Sequence, residues 1–157
     1  MTLIKPEHMS HNDFVEQVTI PSMLEYYELA TNSTFIKHWT RDNIGKALNL
    51  KSMVRLFNFL KNGIRYYKDE VYENILSPTQ ILLLERGDCE DYALFASSVW
   101  AILGGKSKWR VVSNSTDYEH VFALLELNGE FIAFDPIETK SVANEPEYKN
   151  YRDFEVY

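Results

Sequence analysis

Between residues 89 and 103, apolar side chains fall on almost every side of a helical projection: Tyr92, Ala93, Leu94, Phe95, Ala96, Val99, Trp100, Ile102 and Leu103, with Gly104-Gly105 closing the stretch. A helix without a polar face belongs inside a protein. Asp88, Glu90 and Asp91 stand at its start, where carboxylates favour the helix dipole and cap free backbone donors. A second helix is predicted over 50–62, where Met53, Leu56, Phe57 and Leu60 recur at helical spacing and Asn62-Gly63 supplies the stop. Residues 8–30 read as an interrupted helical stretch, with Pro21 as a helix start and residues 31–34 as a turn-like break. Residues 64–69 read as a short extended piece. Ser77-Pro78 then opens a short helix through Leu84 that stops near Gly87.

Beyond residue 105 the periodicity changes. Residues 109–113, 119–127 and 130–135 read as strands, and Asn128-Gly129 is a strong two-residue hairpin turn. Pro136 ends the pairing. Residues 137–157 carry little pattern beyond an edge strand at 154–157. Helices first and a hairpin-rich sheet afterwards predict an α+β fold, with the buried helix packed on an antiparallel sheet. The hairpin also sets a register. A two-residue loop pairs Leu127 with Glu130 and so sets Phe122 opposite Asp135. His120 and Asp135 then share a face as diagonal neighbours, ~7–8 Å apart at the backbone. One more loop residue would place them on opposite faces.

With 157 residues the chain is one domain by length, with a full hydrophobic core. Its net charge of −7 and lack of a basic patch argue against nucleic acid or an anionic membrane as partner. The single cysteine, Cys89, excludes an intramolecular disulfide and any CxxC zinc site. The N-terminus lacks the apolar run of a signal peptide, and no uncharged run approaches the ~18 residues of a membrane span. A cytoplasmic location is the expectation, and a viral origin is compatible with it.

The candidate chemistry centres on Cys89. A thiol at a helix N-terminus is expected to have a lowered pKa. Attack by cysteine also needs a base for the proton and an anchor for that base. His120 and Asp135, placed together by the hairpin register, supply both roles. The first amides of the helix, including that of Cys89, can stabilise an oxyanion. For a second donor the sequence offers only Gln80 and Tyr67, while Tyr66, Tyr67 and Tyr118 are candidates to line a cleft.

Gly87-Asp88-Cys89-Glu90-Asp91 on a helix, His120-Val121 opening an apolar strand, and Phe134-Asp135-Pro136 closing the next together resemble the transglutaminase-like superfamily. The segments 64–69 and 76–78 are similar to what precedes the nucleophile in its bacterial, archaeal and phage-type members. The likeness covers roughly residues 50–136, with 1–49 as a helical N-terminal extension of the same domain. It implies a papain-like core with Cys89 as nucleophile, His120 as base and Asp135 as its partner. It further implies cysteine-dependent acyl transfer on amide bonds of a protein or peptide, without metal or cofactor. Trp100 lies inside the buried helix, so it is no counterpart of the tryptophan that animal transglutaminases use near the oxyanion. Hydrolysis is therefore expected ahead of crosslinking. Two blander readings stand beside this one. The fold can serve as an inactive binding or assembly module, and Cys89, His120 and Asp135 can instead form a zinc site. His8, His11 and His38 read as surface residues.

Overall fold

A computed structural model describes residues 1–69 and 73–157. In chain order the elements are β1 (Thr2–Leu3), α1 (His11–Phe14), a π-helical turn (Val15–Thr19), α2 (Ile20–Thr31), α3 (Thr34–Asn43), α4 (Leu50–Gly63), β2 (Arg65–Tyr66), β3 (Glu73–Asn74), α5 (Pro78–Leu84), β4 (Arg86–Gly87), α6 (Cys89–Ile102), β5 (Ser107–Ser113), β6 (His120–Leu127), β7 (Glu130–Phe134) and β8 (Asn150–Val156). The fold is α+β, as its pattern predicts. Among the described residues no helix is long and apolar enough to cross a membrane.

The apolar helix α6 is the centre of the packing. Tyr92 through Trp100 are all buried, with α2 along one flank and β6 along another. Its few polar groups are spoken for. The indole Nε1 of Trp109 on β5 donates to Ser97 Oγ at 2.8 Å, and Trp100 Nε1 donates to the Glu126 carbonyl at 2.9 Å. Helix and sheet are thus tied together by hydrogen bonds inside an otherwise apolar contact. Gly105 lies so close to the Trp100 indole that a Cβ would meet its Nε1 at 2.3 Å.

The main sheet runs in the order β7-β6-β5-β8. Asn128 and Gly129 both take positive φ, 55° and 83°, which a type I′ hairpin requires. Leu127 pairs with Glu130, and the ladder runs back to Ala123 opposite Phe134. β8 is longer than the edge strand predicted at 154–157 and lies antiparallel to β5 over its whole length. Arg110 on β5 holds it with a two-pronged ion pair to Asp153, at 2.7 and 2.8 Å.

Pro21 stands in the first turn of α2, as its sequence reading expects, and α2 is entered through the π-helical turn. α3 has no counterpart in the sequence reading. Ser33 caps it by accepting from the Ile36 amide, and only Ile36 and Thr40 of its residues are fully buried.

The start of α6 is fixed by a reciprocal cap. Asp88 Oδ1 accepts from the Asp91 amide at 3.3 Å, and Asp91 Oδ2 accepts from the Asp88 amide at 3.0 Å. Asp91 Oδ1 reaches further, to the Leu76 amide at 2.7 Å. Asp91→Ala strands two buried N–H groups, so thermal or urea unfolding should show a loss of about 2–4 kcal/mol.

Candidate active site

Cys89 is the first residue of α6, immediately after the Asp88 cap, and only 9% of it is exposed. Its Sγ donates to Glu90 Oε2 at 3.3 Å. Val121, on the strand that begins with His120, places its backbone where it favours the ionised sulfur. Cys89, His120 and Val121 line one cavity of about 740 Å³. Phe14, Val15, Ile20 and Met23 give that cavity apolar lining, and Asp69, Glu73, Asp117 and Glu119 line it together with Lys5 and Lys68.

His120 Nε2 lies 2.7 Å from Asp135 Oδ2. Since a carboxylate only accepts, Nε2 carries the proton and Nδ1 is left as the free ring nitrogen. Asp135 is 1% exposed, and its Oδ1 accepts from the amides of Ile137 and Glu138, both at 3.2 Å. Lys61 at the end of α4 steadies the turn that follows, donating to the carbonyls of Pro136 at 3.1 Å and Thr139 at 2.7 Å. The diagonal placement set by the two-residue hairpin therefore ends in a direct His120–Asp135 bond.

The thiol's electrostatics run against the sequence expectation. Burial pushes the Cys89 thiol well up, and the nearby charges of Glu90 and Asp88 push it further, with the Val121 backbone as a counterweight. Desolvation and two carboxylates outweigh the roughly half-unit charge of a helix N-terminus. Glu90 is itself pushed well up, by burial first and by the charge of Asp88 second, and Asp91 is raised by the same two causes. Glu90, expected as a helix-start carboxylate, turns to the sulfur instead, while Asp88 and Asp91 do the capping.

Neither expected second oxyanion donor lines the cavity: Gln80 sits in the cap of α5, its Oε1 accepting from the Ser77 amide at 2.9 Å, and the Tyr67 ring packs against the Arg86 guanidinium at 5.0 Å. Tyr66 and Tyr118 do line the cavity, whereas Tyr67 does not. His11 lines it too, with its Nε2 2.8 Å from the Tyr118 carbonyl oxygen. Among the described residues, no group of three His, Cys, Asp or Glu side chains is placed to hold a metal ion.

Residues 16–145 match a family model described as "Transglutaminase-like domain". The chain belongs to that family. The match begins within the helical N-terminal region, well before residue 50. No curated protein matches the chain. Among solved structures, a candidate cysteine protease from Cytophaga hutchinsonii superposes with a TM-score of 0.58 at 13% identity, covering 87% of this chain and 55% of that one. A candidate protease from Parabacteroides distasonis gives 0.55 at 11% identity, covering 73% of this chain and 26% of that one. Calcium-bound LapG of Legionella pneumophila gives 0.52 at 17% identity, covering 77% and 76%. The chain thus spans about half the length of the Cytophaga protein and a quarter of the Parabacteroides one. At these identities the likeness establishes a shared transglutaminase-like, papain-like fold.

Two outcomes follow from the electrostatics. Iodoacetamide labelling of Cys89 in the resting protein should keep rising with pH past the ordinary thiol value of 9.0 rather than level off below it. Glu90 keeps its proton to higher pH when folded than when unfolded. Its stabilising share is full below the ordinary 4.5 and is lost as pH rises through the raised folded value. Urea unfolding at a series of pH values should therefore show Glu90→Gln gaining on the wild type from pH 4.5 toward neutrality.

Proposed function

We propose that this protein is a cysteine-dependent acyl-transfer enzyme that acts on amide bonds of a protein or peptide, with hydrolysis as its reaction. The observation that carries this reading is a cavity shared by Cys89 and His120, with His120 held by the buried carboxylate of Asp135.

The chemistry follows from that arrangement. Cys89 Sγ attacks the amide carbonyl while its proton passes to the free Nδ1 of His120. A neutral resting thiol requires this transfer to accompany attack. The carbonyl π pair moves onto oxygen, where the Cys89 backbone N–H, which has no partner within its helix, can meet it. The C–N bond then breaks, His120 returns the proton to the departing amine, and a thioester remains on Cys89. Water, deprotonated by His120, attacks the thioester, and the acid leaves with the thiol restored. Asp135 holds the imidazole in the required tautomer throughout. Hydrolysis needs no second acceptor site, which favours it over crosslinking.

A second reading, an inactive binding or assembly module, is favoured by one observation: the thiol is buried and held neutral beside Glu90. Intact-mass detection of an acyl adduct after exposure to a panel of activated esters and peptide amides separates the two. The enzyme reading expects an adduct on Cys89, none in Cys89→Ala, and a rate about 10²–10⁴-fold lower in His120→Ala. No adduct on the wild type across the panel would leave the binding module standing.

A further inference from the structure

Acyl transfer develops an oxyanion that catalytic sites meet with preorganised donors, and removal of one donor in such sites is felt in the rate. Here the backbone N–H of Cys89 supplies one. Neither Gln80 nor Tyr67 lines the cavity that holds Cys89.

Tyr66 is placed differently. β2 runs parallel to β4, with Tyr66 directly opposite Gly87, two residues before the nucleophile. The ladder is closed on both sides of it, by Arg65 N–H to the Glu85 carbonyl at 2.9 Å and Tyr67 N–H to the Gly87 carbonyl at 2.8 Å. A third tie comes from α6: the hydroxyl of buried Tyr92 donates to the Ile64 carbonyl at 2.9 Å. The strand that carries Tyr66 is thus fixed to the first turns of the helix that carries Cys89. Successive side chains on a strand point to opposite sides. Tyr67 goes out to Arg86, and Tyr66 goes into the cavity beside Cys89. Lys68, the other donor of this segment in the cavity, lies beyond the last ladder bond.

We propose that the Tyr66 hydroxyl is the second donor of the oxyanion site, acting opposite the Cys89 backbone N–H. This rests on the acyl-transfer reading. The tyrosine donates a hydrogen bond only and keeps its proton throughout. Two further facts agree. Burial, then the charges of Cys89, Asp88, Glu90 and Glu138, raise the phenol to about 12, so it remains a donor across the working range of any thiol enzyme. Glu138 belongs to the turn whose amides hold Asp135, so the phenol lies within reach of charges from both halves of the site. At 46% exposure, Tyr66 is open to an arriving carbonyl.

The test compares two reactions of one sulfur. p-Nitrophenyl acetate acylates Cys89 through an oxyanion: the S–C bond forms, the thiol proton goes to His120, and nitrophenolate leaves. Iodoacetamide alkylates the same sulfur by displacing iodide and develops no oxyanion. Tyr66→Phe keeps the ring and its packing. It should acylate about 10²-fold more slowly than the wild type while alkylating at nearly the wild-type rate. Wild-type acylation by Tyr66→Phe, or an equal fall in both rates, overturns the proposal. Failure of the acyl-transfer reading looks different, because the wild type itself would then show no His120-dependent acylation of Cys89.

Discussion

The Cys89 half of the site hangs on the carboxylate of Asp91. One oxygen holds the Asp88 amide at 3.0 Å, closing the reciprocal cap, and the other holds the Leu76 amide at 2.7 Å. A single buried side chain therefore anchors the start of α6 and ties it to the segment leading into α5. The parallel pair β2–β4 and the Tyr92–Ile64 bond add a second attachment from the opposite side. The thiol sits at a junction of three chain segments rather than at a loose helix end. Its direction is set by backbone contacts that a substrate does not have to organise.

The other half of the site is held with equal economy by the sheet. β6 begins with His120, and the turn after β7 begins with Asp135, so the imidazole–carboxylate pair spans the mouth of one hairpin. The carboxylate is saturated by two amides on its other oxygen, and Lys61 pins the turn from α4. Within this frame the local field disfavours a free thiolate. Carboxylates at the helix start serve the cap first, and their repulsion falls on the sulfur. The resting site keeps its proton on sulfur, and the bond from Nε2 to Asp135 leaves Nδ1 of His120 as the free ring nitrogen.

Features of short range were legible in the sequence. The all-round apolar pattern of α6 showed burial, and Asn128-Gly129 set the register that brings His120 to Asp135. Interactions between distant segments were not legible. α3 is an amphipathic helix with a single buried aliphatic residue, Ile36, too thin a stripe to stand out. β8 owes its length to pairing with β5 and to Arg110–Asp153, a partnership between residues far apart in the chain. Gln80 belongs to the cap of α5, a short-range pairing that Ser77 three residues before it signals. The thiol's raised pKa comes first from burial and then from Glu90 and Asp88, and no spacing rule specifies either the burial or the turn of Glu90 toward sulfur. Tyr66 and Tyr67 were indistinguishable until the β2–β4 ladder gave each a side.

The position of β8 bears on how such a chain comes off the ribosome. Cys89, His120 and Asp135 are all synthesised before residue 150, yet β5 lies between β6 and β8 in the finished sheet. Until 150–156 emerge, one side of β5 presents open backbone donors and acceptors, the feature that makes strand edges adhesive. The nascent chain thus passes through an interval in which its reactive groups exist but the sheet behind them is unsealed. Such an interval favours chaperone contact and slows final assembly, as pairing between distant segments generally does.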